Sequence, residues 1–166
     1  SQTTIESFAH IFTGWTYAGA DNFWWPTVRE SILPMEVWVK NGVEEYHDFS
    51  TRTLLNGVVL PANTNAKDGL KIALDNIFNH SNVGPFISKQ LIQRLITSNP
   101  SPEYVGRVAK IFNANSTGVR GDLKEVIEAI YLDKEARTLP VASSNFGKLK
   151  EPILKLSALW RAFKGT

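Results

Sequence analysis

His47 and Asp48 are the only adjacent histidine–carboxylate pair in the chain, and they open the run HDFSTRTLLNGVVLPAN at residues 47–63. An imidazole beside a carboxylate can act as a general base or metal ligand, with the carboxylate orienting the ring or sharing the ion. That chemistry would make the chain a metal-assisted hydrolase. His47 and Asp48 are then the catalytic candidates, and His47 the metal-ligand candidate. The local sequence favours a different role. Neighbours on an extended chain point to opposite faces, so joint ligation of one ion is awkward. Phe49-Ser50-Thr51 also reads as a turn leading into a strand. In the preferred reading Asp48 accepts backbone N–H groups of Ser50 or Thr51 as an Asx-turn, while His47 bonds a carbonyl.

The other reactive residue types are sparse. His10 lies on a helical flank. His80 sits in a last helical turn, where a histidine caps carbonyls and faces the negative helix end. Glu44-Glu45 could supply a carboxylate for glycosidic chemistry, but sixteen acids make a chance pair unremarkable. No G-x-S-x-G turn, Walker-type loop, dinucleotide fingerprint or HExxH helix is present. The absence of cysteine removes disulfides, thiolate nucleophiles and Cys-ligated metals. No cofactor is expected, and this stretch alone reads as non-enzymatic.

Tryptophan offers a second kind of chemistry. Trp15, Trp24, Trp25 and Trp38 place four of the five tryptophans in one short region. Exposed indole faces stack on sugar rings or on a partner's apolar surface; buried ones cement an irregular segment to a core. Trp24 and Trp25 are the ligand-binding candidates, because neighbours on an extended segment cannot both face one core. The Trp-rich segment 15–38 is therefore where a carbohydrate or another protein would bind.

The elements that must position these residues are mainly helical. The pattern predicts one compact, bundle-like domain over 1–166 with a small antiparallel β-hairpin region near residues 35–60. Ile5, Phe8, Ile11 and Phe12 predict a first helix over 4–12, capped by Thr3 or Thr4. EVWVKNGVEEY reads as two strands around Asn41-Gly42, and TLLNGVVL as a hairpin turning at Asn56-Gly57. After Pro61 five amphipathic helices follow. Their inward faces are predicted as Leu70, Ala73, Leu74, Ile77 and Phe78; Phe86, Ile87, Leu91, Ile92 and Leu95; Val105, Val108, Ala109 and Phe112; Leu123, Val126, Ile127 and Ile130; and Ile153, Leu156, Leu159, Trp160 and Phe163. Asn82, Ser101 and Asp122 are the expected caps. Residues 138–146 read as a surface loop. Glu135 and Arg137 are expected to clamp helix ends by charge, and Lys148 to pair with Glu151.

Charge is uneven. Residues 1–65 hold seven acids and three bases, whereas residues 66–166 hold nine acids and fifteen bases. Those bases are interspersed with acids and lack a stripe of stacking aromatics, so nucleic acid is not an expected partner. No apolar run approaches the ~20 residues of a membrane span.

The runs FTGWT (12–16), HDFSTRTLLNG (47–57), SNPSPEYVGRVAKIF (98–112), GDLKEVIEAIYLDKEAR (121–137) and GKLKEP (147–152) occur in a distinctive order. Together they resemble the C-terminal part of the bacterial family known as domain of unknown function 1800, with 18–45 the least matched stretch. Where that family usually has lysine, this chain has Arg52. The resemblance implies a longer protein on the N-terminal side and an extracytoplasmic location, periplasmic or secreted. It implies no activity and no catalytic residue.

Overall fold

The computed structural model describes residues 1–30, 32–138, 147–148 and 151–163. It is mainly α-helical, with two small antiparallel sheets, and its residues gather into two compact units, Ser1–His80 and Ser81–Thr166.

The first unit begins with helix α1 (Gln2–Ile11), which starts earlier than the apolar pattern predicts. Ser1 caps it, its hydroxyl accepting the Thr4 N–H at 3.3 Å. That takes the role expected of Thr3 or Thr4. Ile11 is buried and Phe8 packs beside it, while Ile5 and Phe12 are exposed.

Strand β1 (Trp15–Thr16) pairs antiparallel with β2 (Glu36–Val37). The first predicted hairpin is thus corrected. Asn41 and Gly42 do take the positive φ of a tight turn, and Lys40 and Val43 exchange backbone hydrogen bonds across it. The paired strand ends there because β2 has a different partner: β1 lies on it, and Gly14 O accepts the Trp38 N–H at 2.8 Å. The sheet region therefore reaches back to residue 15.

The second hairpin forms where expected, between β3 (Arg52–Thr53) and β4 (Val59–Leu60). A 3₁₀ turn over Leu55–Gly57 widens it. The cause is Asn76, whose side-chain amide accepts from Leu55 N–H and donates to Leu55 O, both at 3.1 Å.

Helix α2 (Ala66–Phe78) is capped by Asn65, whose side chain accepts from Asp68 N–H. Its buried face is Ala66, Gly69 and Ala73; Leu74, Ile77 and Phe78 are exposed, contrary to the predicted stripe. Small size decides this. A Cβ on Gly69 would sit 3.4 Å from Ile11 Cγ2, so the helix approaches α1 through its smallest residues. Ile11, Leu54, Leu60 and Ala73 form the core of this unit.

The second unit holds α3 (Val83–Leu95), α4 (Pro102–Asn113), α5 (Leu123–Leu132), α6 (Lys134–Arg137) and α7 (Pro152–Ala162). Ser101 and Asp122 cap as expected. Asn82 makes no side-chain cap bond because its own backbone is already helical. Phe86, Leu95 and Leu123 are exposed, leaving Ile92, Val108, Phe112, Val126 and Ile130 around the fully buried Tyr104.

Glu135 clamps the start of α4 by accepting from Ser101 N–H at 2.9 Å and Ser101 hydroxyl at 2.5 Å. Its cationic neighbour is Arg107, which makes a two-armed bond to Asp133 at 2.7 and 2.8 Å and lies 3.8 Å from Glu135. The Lys148–Glu151 pairing is also corrected. Glu151 pairs with Arg94 at 3.3 Å, and Lys148 donates to the Arg94 carbonyl. Of the predicted loop 138–146, all but Thr138 lies outside the described residues. Among the described residues no helix is long and apolar enough to cross a membrane.

Candidate functional site

Both candidate regions lie in the first unit. The C-terminal end of α1 leads into Thr13 and Gly14, and the segment after β2 returns beside it at His47. Gly14 has φ +87°, a left-handed conformation that suits glycine. A Cβ there would meet His47 N, Cα and Cβ at 3.1–3.2 Å, so glycine also allows the close approach.

His47 is buried between two backbone carbonyls. Its Nδ1 lies 3.2 Å from Thr13 O and its Nε2 3.2 Å from Thr64 O. A neutral ring has one N–H and donates to one carbonyl at a time; an imidazolium donates to both. Either way the ring joins the exit of α1 to the entry of α2. The Phe49 ring packs edge-on, with centroids 5.0 Å apart.

Asp48 faces the other way. Its backbone N–H donates to Thr13 Oγ1 at 3.0 Å, and its Oδ1 accepts Ser50 N–H at 2.7 Å, closing the expected Asx-turn. Its Oδ2 receives the Arg52 guanidinium and the His10 Nδ1, the latter at 2.7 Å. The histidine beside the carboxylate in space is thus His10, from another element, and not the sequence neighbour His47. Arg52 uses Nη2 on this carboxylate, while its buried Nε has no partner among the described residues.

Partial burial pushes the Asp48 carboxyl up. The Ser50 N–H and hydroxyl and the Arg52 guanidinium outweigh that and hold it well below the usual carboxylate range. In the unfolded chain the group returns to its ordinary value of 3.8. As pH falls, the unfolded chain therefore binds this proton first, so the stabilisation is complete above roughly pH 5 and drains away at more acidic pH. Asp48→Asn is expected to lose about 2 kcal/mol at neutral pH. The gap from wild type should narrow as pH drops below 4, as read by urea unfolding at a series of pH values.

Glu44 and Glu45 do not act as a pair. Glu44 accepts the Ala66 N–H at the start of α2 at 2.8 Å, and Glu45 accepts Trp38 Nε1–H at 3.2 Å. At the end of α2 the Asn79 side-chain amide donates to a helix carbonyl, Asp75 O, at 2.8 Å. No group of three or more His, Cys, Asp or Glu residues suited to a metal ion occurs among the described residues.

The aromatic segment is arranged differently. Trp15 is half-buried in β1, and Trp38 lies near Phe23, which also stacks on Tyr46 with centroids 4.3 Å apart. Trp24 packs edge-on against Phe23 and Tyr46, with centroids 5.0 and 5.4 Å away, yet is 66% exposed, and Trp25 is 82% exposed. Their loop is tied by two side chains. Asn22 Oδ1 accepts Trp24 N–H at 2.9 Å and Trp25 N–H at 3.1 Å. Asp21 accepts Thr27 N–H at 2.7 Å as well as the Thr27 hydroxyl. Asp21 and Asn22 were not legible as site residues, although an Asp-Asn step ahead of a proline is a turn signal.

The chain thus belongs to the mainly α-helical class with small antiparallel sheets, and its motifs converge: FTGWT packs against HDF at Gly14 and His47. A family model matches residues 1–166 in full, and the chain belongs to that family, proteins of unknown function designated DUF1800. No curated protein and no solved structure shows a significant match.

Proposed function

We propose that this chain is a non-catalytic binding portion of a larger exported protein, and that the Trp24–Trp25 loop contacts carbohydrate. The observation behind this reading is two largely exposed indoles, Trp24 seated edge-on against Phe23 and Tyr46, on a loop closed by Asp21 and Asn22. Leaving that much aromatic area in water forgoes burial free energy, and a loop fixed before binding pays little ordering entropy on contact. Flat aromatic faces bordered by carboxylate, amide and hydroxyl groups suit a sugar, whose ring has apolar C–H faces and a polar rim. Export rests on the family resemblance alone.

The test is retention of the protein on insoluble glycans, with peptidoglycan, cellulose and chitin as probes. Trp25→Ala, which removes the more exposed of the two rings, is expected to keep its unfolding midpoint yet to lose on the order of tenfold or more in affinity. Equal retention of variant and wild type would refute the reading, as would no retention on any of the three.

A further inference from the structure

We infer that Asn41 is a site of covalent modification, at which the side-chain amide converts to aspartate and isoaspartate through a succinimide with water as co-reactant. The fold protects Asn56, which stands in the same tripeptide.

Asn41-Gly42-Val43 and Asn56-Gly57-Val58 are identical in sequence. Their local chemistry is therefore matched in the unfolded chain, and a difference in the native protein comes from structure. The glycine nitrogen loses its proton to solvent and bonds to Asn Cγ; the Cγ–Nδ2 bond breaks and ammonia leaves. Water then opens the ring at either carbonyl. Glycine favours the attack because no Cβ crowds its nitrogen. Both asparagines hold positive φ, 52° at Asn41 and 57° at Asn56, and each must leave its turn conformation to bring Cγ onto the next nitrogen. The native rate thus follows how often each turn opens.

The turn at 40–43 is closed by one pair of backbone bonds, Lys40 N–H to Val43 O at 2.9 Å and Val43 N–H to Lys40 O at 3.0 Å. All four of its residues are exposed, so no buried side chain anchors either end. Among the described residues neither the Gly42 N–H nor the Asn41 side chain has a hydrogen-bond partner. The turn around Asn56 is held at more points. Leu54 N–H donates to Val58 O at 2.7 Å, and Val58 N–H to Leu55 O at 3.3 Å. The Asn76 amide grips both backbone polar groups of Leu55. Leu54, at the base of this turn, belongs to the buried core of the unit.

Conversion of Asn41 places a carboxylate next to Lys40 in the chain. The Lys40 ammonium lies 3.7 Å from Glu45, the acceptor of the Trp38 indole N–H. Isoaspartate also adds a carbon to the main chain between Lys40 and Val43, which this tight turn cannot absorb without losing the bonds across it.

The test follows both asparagines in the wild-type chain, incubated folded and in concentrated guanidinium chloride in warm, mildly alkaline buffer. Proteolysis and mass spectrometry, with separation of aspartate and isoaspartate peptides, give a rate for each site. Each folded rate is divided by the rate of the same site in denaturant. The quotient for Asn41 is expected to exceed that for Asn56 on the order of tenfold or more, reporting the easier opening of its turn. Equal quotients overturn the proposal, as do a larger quotient at Asn56 and an Asn41 that stays intact in the folded protein.

Discussion

Replacing Tyr104 with alanine is expected to cost about 3–5 kcal/mol, the range for deleting a large buried aromatic side chain. Tyr104 is 0% exposed and sits among Ile92, Val108, Phe112, Val126 and Ile130. Its hydroxyl donates to Ile130 O at 2.5 Å. That carbonyl lies in the last turn of α5, where helix carbonyls lack intrahelical N–H partners, because Asp133 turns the chain out of helix. The hydroxyl therefore finishes α5 while the ring fills the core. Burial, with the Asp133 and Glu135 carboxylates nearby, pushes the phenol up to about 12, so it remains a donor throughout the neutral range. Tyr104→Phe should lose the smaller amount for one hydrogen bond, about 1 kcal/mol. The two variants compared by urea unfolding separate filling from bonding. Equal losses would show that the hydroxyl carries the effect and the packing does not.

Helices and caps were the legible part of the fold. Ser101-Pro102 and Gly121-Asp122 carry their start signals within a few residues, and the structure follows them. The rotation of α2 was not legible, because the predicted stripe counted large apolar residues. The structure keeps Ala73 of that stripe inward but joins it with Ala66 and Gly69 rather than with Leu74, Ile77 and Phe78, and a close helix crossing selects for small size. Pairing of β1 with β2 escaped for another reason: two-residue strands carry too little alternation to specify a partner twenty residues away.

At the site, the Asx-turn at Asp48 was legible since both of its partners lie within three residues. His10 as the partner of Asp48, and the Thr13 and Thr64 carbonyls as partners of His47, depend on chain reversals that local pattern does not encode. Adjacency predicts that at least one of Trp24 and Trp25 is exposed; both are. The clamps that hold their loop did not.

The claim on which the rest depends is that His47 is a structural clasp between α1 and α2. Its most direct test is urea unfolding of His47→Ala beside wild type at neutral pH. A loss of about 2–3 kcal/mol is expected, since the substitution removes a buried ring packed on Phe49 and leaves the Thr13 and Thr64 carbonyls without it. An unchanged midpoint with an unchanged slope would contradict the account and return His47 to the list of groups free for chemistry.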